Sequence, residues 1–174
     1  MKPKILFILH LPPPIHGAAM MGKYIQESEL VNSSFDCFCI NLATAGSLSD
    51  IGHISLKKLL KYFFLLKHIS HVVREIRPEL VYITPNAGGK AFFKDFIVVQ
   101  MLKSMGCKVI AHYHNKGVSV YQSKWVYNFF YKRFFSNLKV ILLAENLYKD
   151  IAKYVKREDV YLSLIHISEP TRPY

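Results

Sequence analysis

Acid is the scarce component of this chain. Among 174 residues, 12 are Asp or Glu against 23 Lys or Arg, which gives a formal charge of +11. The deficit is local. No acid stands between Ile51 and Arg74, where Lys57, Lys58, Lys61, Lys67 and Arg74 occur. None stands between Phe96 and Ala144, against Lys103, Lys108, Lys116, Lys124, Lys132, Arg133 and Lys139. Such a field favours an anionic partner, a phospholipid surface, a phosphorylated substrate or nucleic acid; a solvated basic face with no specific partner is the plain alternative. Cysteine is also scarce. Cys37 and Cys39, two apart, share a face on a strand, and Cys107 is alone. Three thiols build neither a disulfide framework nor a zinc ligand set, and they read as free thiols in a reducing cytoplasm. No apolar run reaches the roughly 18–20 residues of a membrane span. The run from Ile5 to Leu11 meets Pro12-Pro13-Pro14 with no small-residue cleavage pattern, so it reads as a buried strand and not as a signal peptide. Internal repeats and low-complexity tracts are absent. Nucleic acid is set aside, since the sequence contains no recognised nucleic-acid module.

What is present is a globular composition, 51% hydrophobic and 20% charged, and a regular alternation of patterns. Strands are expected at Lys4–His10, Phe35–Asn41, Leu80–Thr84, Lys108–His112 and Val140–Leu143. Helices are expected at Ala18–Glu29, from about Ser55 to Arg77, at Ala91–Met105, from about Ser123 to Phe135, and at Glu145–Tyr154. Pro78 stops the second helix and Gly106 closes the third. Strand and helix alternating in this way predict an α/β domain with a doubly wound, Rossmann-like parallel sheet covered on both faces. Ligands of such sheets bind beyond the carboxyl ends of the strands. The loops to examine are therefore Leu11–Gly17, Leu42–Ile54, Pro85–Lys90, Tyr113–Val120 and the turn at Ala144.

Three features carry candidate chemistry. The loop LPPPIHGAAM joins the first strand to the first helix. His16, Gly17 and Ala18 place a glycine and free helix amides where a phosphate or sugar-phosphate oxygen can bind; the other reading is a tight strand–helix turn without a ligand. It is not a dinucleotide fingerprint, for G-x-G-x-x-G is missing, and Gly88-Gly89-Lys90 lacks the rest of a P-loop. Second, His112-Tyr113-His114-Asn115-Lys116-Gly117 ends the fourth strand. A histidine there suits acid–base work or a hydrogen bond to a sugar hydroxyl or phosphate; a purely structural histidine is the alternative, and no third ligand for a metal is evident. Third, Lys124, Trp125, Lys132 and Arg133 lie among more aromatics than one buried stripe needs, which suits a membrane surface. The helix with Lys57, Lys58, Lys61, Tyr62, Phe63 and Phe64 repeats the theme. Core packing with solvated lysines remains the bland reading of both.

The opening KILFILHLPPPIHGAAMMGKYI, the strand LVYITPNAGG, the segment HYHNKG and the stretch VILLAENLYKDIAKYV together resemble the N-terminal domain of the bacterial GT-B glycosyltransferases of family 4. The resemblance covers about Lys2 to Tyr161 and implies two facing Rossmann-like domains. The N-terminal one, residues 1–161 here, would bind a glycan or lipid-linked acceptor. A C-terminal one beyond this chain would bind the nucleotide-sugar donor. Transfer would retain the anomeric configuration and need neither metal nor cofactor. The resemblance also implies a donor-phosphate role for Gly17 and its neighbours. His114, with His112 as the other candidate, would lie near the reacting sugar, and Asn86, Asn115 and Lys116 beside the substrate. This sequence has one glycine in the first loop where many members have two. The implied place of work is cytoplasmic, at the inner face of the plasma membrane. A non-catalytic domain binding anionic lipid or polyisoprenyl phosphate is the alternative function.

The tail differs in kind. Leu162 to Arg172, LSLIHISEPTR, resembles the in-frame translation of a transposase adapter used in preparing DNA sequencing libraries, matching it at every residue. Residues 162–174 are therefore expected to be foreign to the natural protein. The chain would then be a truncated first half of a transferase, inactive by itself. Glu169 and Arg172 cancel in the charge balance.

Overall fold

A computed structural model describes residues 2–13, 15, 17–42 and 56–163, without the side chains of 57 and 58. The apolar run expected as the first strand forms β1 (Lys4–Leu9), which is buried on both faces. A chain buried on both sides has no polar face to alternate with, so the strand reads as a continuous apolar run. Helix α1 (Gly17–Glu27) and helix α2 (Glu29–Ser34) lead to β2 (Asp36–Asn41). One helix was expected over Ala18–Glu29. The chain breaks instead at Ser28, whose extended backbone and side-chain oxygen cap α2 by accepting from the amide of Val31 at 3.4 Å.

Helix α3 (Leu56–Ile76), β3 (Leu80–Ile83), α4 (Gly89–Ser104) and β4 (Val109–Tyr113) follow as anticipated to within a turn at their ends. The C-terminus of α4 is closed by Gly106 at φ +78°. Its amide donates to Lys103 O at 3.0 Å and that of Cys107 to Leu102 O at 3.1 Å, the paired bonds of a Schellman cap. Beyond β4 comes a helix that sequence patterning misses, α5 (Val118–Tyr121), then α6 (Trp125–Phe135) and β5 (Lys139–Leu142). The helix expected over Glu145–Tyr154 is a 3-10 turn (Glu145–Leu147) and a single helical turn, α7 (Tyr148–Ile151). A sixth strand, β6 (Val160–Leu162), was not expected.

All six strands are parallel, in the order β2-β1-β3-β4-β5-β6. The sheet is a Rossmann-like, doubly wound α/β domain, as the alternation predicts. One face carries the larger core, with Leu6, Ile8, Val81, Ile83 and Val140 of the sheet against Ile69 of α3, Phe92 and Val99 of α4 and Phe134 of α6. The other face holds Ile5, Phe7, Leu9 and Tyr82, packed by Ile25 and Val31 of α1 and α2. Cys37 and Cys39 share that second face and are free thiols, as their spacing requires.

The order reverses direction between β1 and β3. The loop after β1 feeds α1 on one face, and the loop after β3 feeds α4 on the other. The two loops part at the carboxyl edge, which is where sheets of this kind bind ligands.

Candidate functional site

The loop after β1 is anchored at its start, where the amide of Leu11 donates to the side-chain oxygen of Asn41 at the end of β2 (3.2 Å). Gly17 opens α1, exposed, and a Cβ added there would touch no protein atom. Ala18 follows, half-buried. The fold thus makes no demand for glycine at position 17. It makes one at Gly22, where a Cβ would lie 2.2 Å from the carbonyl oxygen of His10. Helix α1 rests directly on the end of β1 there, a contact no spacing in the sequence announces. His16 lies outside the described residues.

At the end of β4 the structure brings together a group that only partly matches expectation. His112 is a strand residue, 2% exposed, and Tyr82 of β3 lies on the same face one step below it. The Tyr82 hydroxyl is hydrogen-bonded to His112 Nδ1, and the Tyr82 ring packs on Phe7, centroids 5.3 Å apart. Burial pushes the Tyr82 phenol above its ordinary range, so it keeps its proton. Burial, and then the neighbouring His114, push His112 down from 6.5 to about 3, so its imidazole is neutral near pH 7. The contact joins a protonated phenol to a neutral imidazole, and it holds the ring in place whichever of the two donates. His112 is therefore a neutral ring anchored by Tyr82. Its Nε2 is buried with no hydrogen-bond partner among the described residues, as is the hydroxyl of Thr84 at the end of β3.

His114 lies two residues on, so it leaves the chain on the same face. Its ring sits 4.2 Å from that of His112 between centroids, and it is the less buried of the two. His114 is the less buried residue as a whole, but both of its ring nitrogens are buried, as is His112 Nε2. Asn115 and Lys116 follow, both exposed.

A buried carboxylate that sequence reasoning passed over holds this loop. Asp150 of α7 accepts from the amides of Gly117 (2.9 Å), Val118 (2.9 Å) and Ser119 (3.0 Å) and from the Ser119 hydroxyl (2.5 Å). Burial alone would raise its pKa. The hydrogen bonds from the Ser119 hydroxyl and the three amides outweigh that and hold it below the usual carboxylate range. In the sequence it is one charged residue among several, next to Lys149 and close to Lys153, and nothing there marks it out.

Asn86 is placed differently from its neighbours in expectation. Its amide group turns to α4, where the backbone N–H and Nδ2 donate to Asp95 at 2.7 and 2.8 Å. Burial pushes Asp95 from 3.8 up to about 6 against those two bonds. Asn86 thus shapes the loop after β3, on the α4 side of the sheet, whereas the histidines leave β4 on the α1 side.

The four candidate membrane residues lie on α6 and at its start. Lys124, Trp125, Lys132 and Arg133 are all exposed, Trp125 at 81%, and Lys124 lies over the Tyr121 ring. Lys103, part of the same acid-free stretch, is occupied otherwise. Its ammonium donates to the carbonyls of Phe134 and Ser136 (2.6 Å each) and of Arg133 (3.3 Å), closing the C-terminus of α6. Among the described residues no helix is long and apolar enough to cross a membrane. Comparison with known proteins finds no matching family model, no matching curated protein and no matching solved structure.

Proposed function

We propose that this chain is the acceptor-side domain of a retaining glycosyltransferase of the GT-B, family 4 type. The whole enzyme, of which this chain is a part inactive by itself, moves a sugar from a nucleotide-sugar to a cell-envelope glycan or lipid-linked acceptor at the inner face of the plasma membrane. The observation that carries the reading is the histidine pair at the carboxyl end of β4, with Tyr82 anchoring the inner ring. In the transfer, the acceptor oxygen bonds to the anomeric carbon while the bond to the nucleoside diphosphate breaks. The diphosphate leaves with the electron pair, and the acceptor proton goes to it. His114 binds the sugar, and neutral His112 supports it. The amides at Gly17 and Ala18 supply a positive helix end for a phosphate. Asn115 and Lys116 flank the acceptor, and His16 belongs to the same loop as Gly17. The nucleotide-sugar itself is held by a second domain.

The basic, aromatic exterior of α6 favours the second reading, a domain that binds anionic lipid or polyisoprenyl phosphate without catalysis. One experiment separates the two. The reading frame is extended from the source genome, and the longer protein is assayed for transfer of labelled sugar from a nucleotide-sugar panel to a membrane lipid extract. Transfer is expected, with His114→Ala lowering kcat by about a hundredfold and Tyr82→Phe by less, with an altered pH profile. No transfer from any donor, or an unchanged rate in His114→Ala, rejects the transferase reading.

A further inference from the structure

Helix α3 carries two apolar stripes where a surface helix needs one. Tyr62, Leu65, Leu66, Ile69, Val73 and Ile76 face the sheet and join the larger core. Leu56, Leu59, Leu60, Phe63 and Phe64 are spaced by three and four and lie on the outside. They are exposed, Leu59 at 60% and Phe64 at 63%. In the second half of the helix the outer positions turn polar, to Lys67, His71 and Arg74. The second stripe is thus confined to the N-terminal half. A shallow depression lies where the two stripes meet, lined by Leu59, Leu60 and Phe63 of the outer one and Tyr62 and Leu66 of the inner one. Lys61 and Lys67 border it, with the Lys67 ammonium 5.3 Å from the centre of the Phe63 ring.

The neighbouring helices continue the pattern. Helices α3, α4 and α6 pack side by side on one sheet face. Tyr62 of α3 donates to Lys94 O of α4 at 2.7 Å, and Phe130 of α6 meets Phe93 and Phe96 of α4 edge to face. Their outer sides present Lys90, Lys94 and Ile97 on α4 and Trp125 and Phe129 on α6. In a parallel sheet the helices run back against the strands, so their N-terminal halves all lie toward the carboxyl edge. The apolar residues of α3 and Trp125 of α6 therefore lie toward the same edge as the histidine pair, on the opposite face of the sheet.

We propose that this surface, with the N-terminal half of α3 as its main part, docks on an anionic bilayer and turns the carboxyl edge of the sheet toward the lipid headgroups. Charge selects the occupant. The stretch from Ile51 to Arg74 contains no acid, and a chain at +11 repels a second copy of itself but is drawn to anionic lipid. Exposed Leu and Phe flanked by Lys enter the headgroup boundary while the ammonium groups stay among the phosphates. The histidine pair leaves the sheet at this edge but on its α1 face, so a lipid-held acceptor would reach it around the edge. The inference deepens the proposed function and rests on it for the nature of the acceptor.

The test uses this chain and two vesicle types, phosphatidylcholine alone and phosphatidylcholine with a roughly one-quarter share of phosphatidylglycerol. The chain is expected to sediment with the anionic vesicles alone and to lose that binding at high salt. The emission of Trp125, the sole tryptophan, should shift to the blue on addition. Phe63→Ser with Phe64→Ser should weaken binding about tenfold or more, without a change in melting temperature, since both side chains are exposed. Leu30→Ser, a change at a 77% exposed leucine of α2 on the other side of the sheet, should leave binding unchanged. No sedimentation with anionic vesicles overturns the proposal, as does equal binding by the double variant or an unmoved Trp125 emission. A stable dimer that the double variant dissolves, without vesicle binding, assigns the face to a second copy and also overturns it. Transfer to a detergent-dissolved acceptor by the longer protein is a separate readout. If it is absent while docking holds, the transferase reading alone fails.

Discussion

Asp150 receives four hydrogen bonds from one loop, and three of the donors are consecutive backbone amides. Those amides open α5, and each first-turn donor of a helix needs a partner outside the helix. Removing the carboxylate leaves them buried or half-buried with nothing in reach. Asp150→Ala is therefore expected to cost about 3 kcal/mol, read as a lower urea midpoint at unchanged slope. Asp150→Asn keeps one acceptor oxygen and should cost about half as much. Equal midpoints for Asp150→Ala and the parent chain would show that the loop after β4 is held by something else. Because that loop carries His114, Asn115 and Lys116, the carboxylate matters for the proposed site without touching a substrate.

At the scale of elements, the fold was legible wherever a pattern is local. The apolar run of β1, the proline after α3 and the glycine after α4 each act within a few residues of themselves, and each lies where the sequence puts it. What was not legible depends on partners far along the chain. The break at Ser28 needs the whole segment to turn back toward β2. The sixth strand is short, and pairing with β5 rather than its own composition makes it a strand. The histidine pair was visible as residues, but not the phenol of Tyr82 some thirty positions earlier that anchors the inner ring. Three glycines make the same contrast testable. Gly106 has a left-handed backbone and open space around it, so Gly106→Ala should cost about 1 kcal/mol. Gly22 touches the backbone carbonyl of His10, the residue directly after β1, so Gly22→Ala should cost more, about 2–3 kcal/mol. Gly17, which the sequence makes prominent, meets nothing, and Gly17→Ala should be close to neutral for stability. Thermal or urea unfolding of the three variants checks the order, and a Gly22→Ala chain as stable as Gly106→Ala would contradict the close approach.

Over the whole molecule, two buried groups oppose each other in acid. Asp95 is raised from 3.8 to about 6, because burial disfavours its charge. Between those values the folded chain holds a proton that the unfolded chain releases, so this contribution to stability is full below about pH 4 and is lost as pH rises through 6. His112 is lowered from 6.5 to about 3 by burial and by His114. Between those values the unfolded chain holds the extra proton, so this contribution is full above pH 6.5 and is lost as pH falls toward 3. The two slopes overlap between about pH 4 and 6 with opposite sign, each at most about 1.4 kcal/mol per pH unit, and in the parent chain they largely cancel. Asp95→Asn removes one of them, and the variant should lose stability relative to the parent as pH falls from 6 to 4. His112→Gln removes the other, and relative to the parent it should gain stability over the same interval. The exposed carboxylates are common to all three chains and drop out of the differences. Urea midpoints at several pH values give the comparison directly. Parallel curves for the parent and Asp95→Asn would mean that Asp95 stays charged beside Asn86 down to its ordinary range. The two hydrogen bonds from Asn86 would then outweigh the burial of that carboxyl.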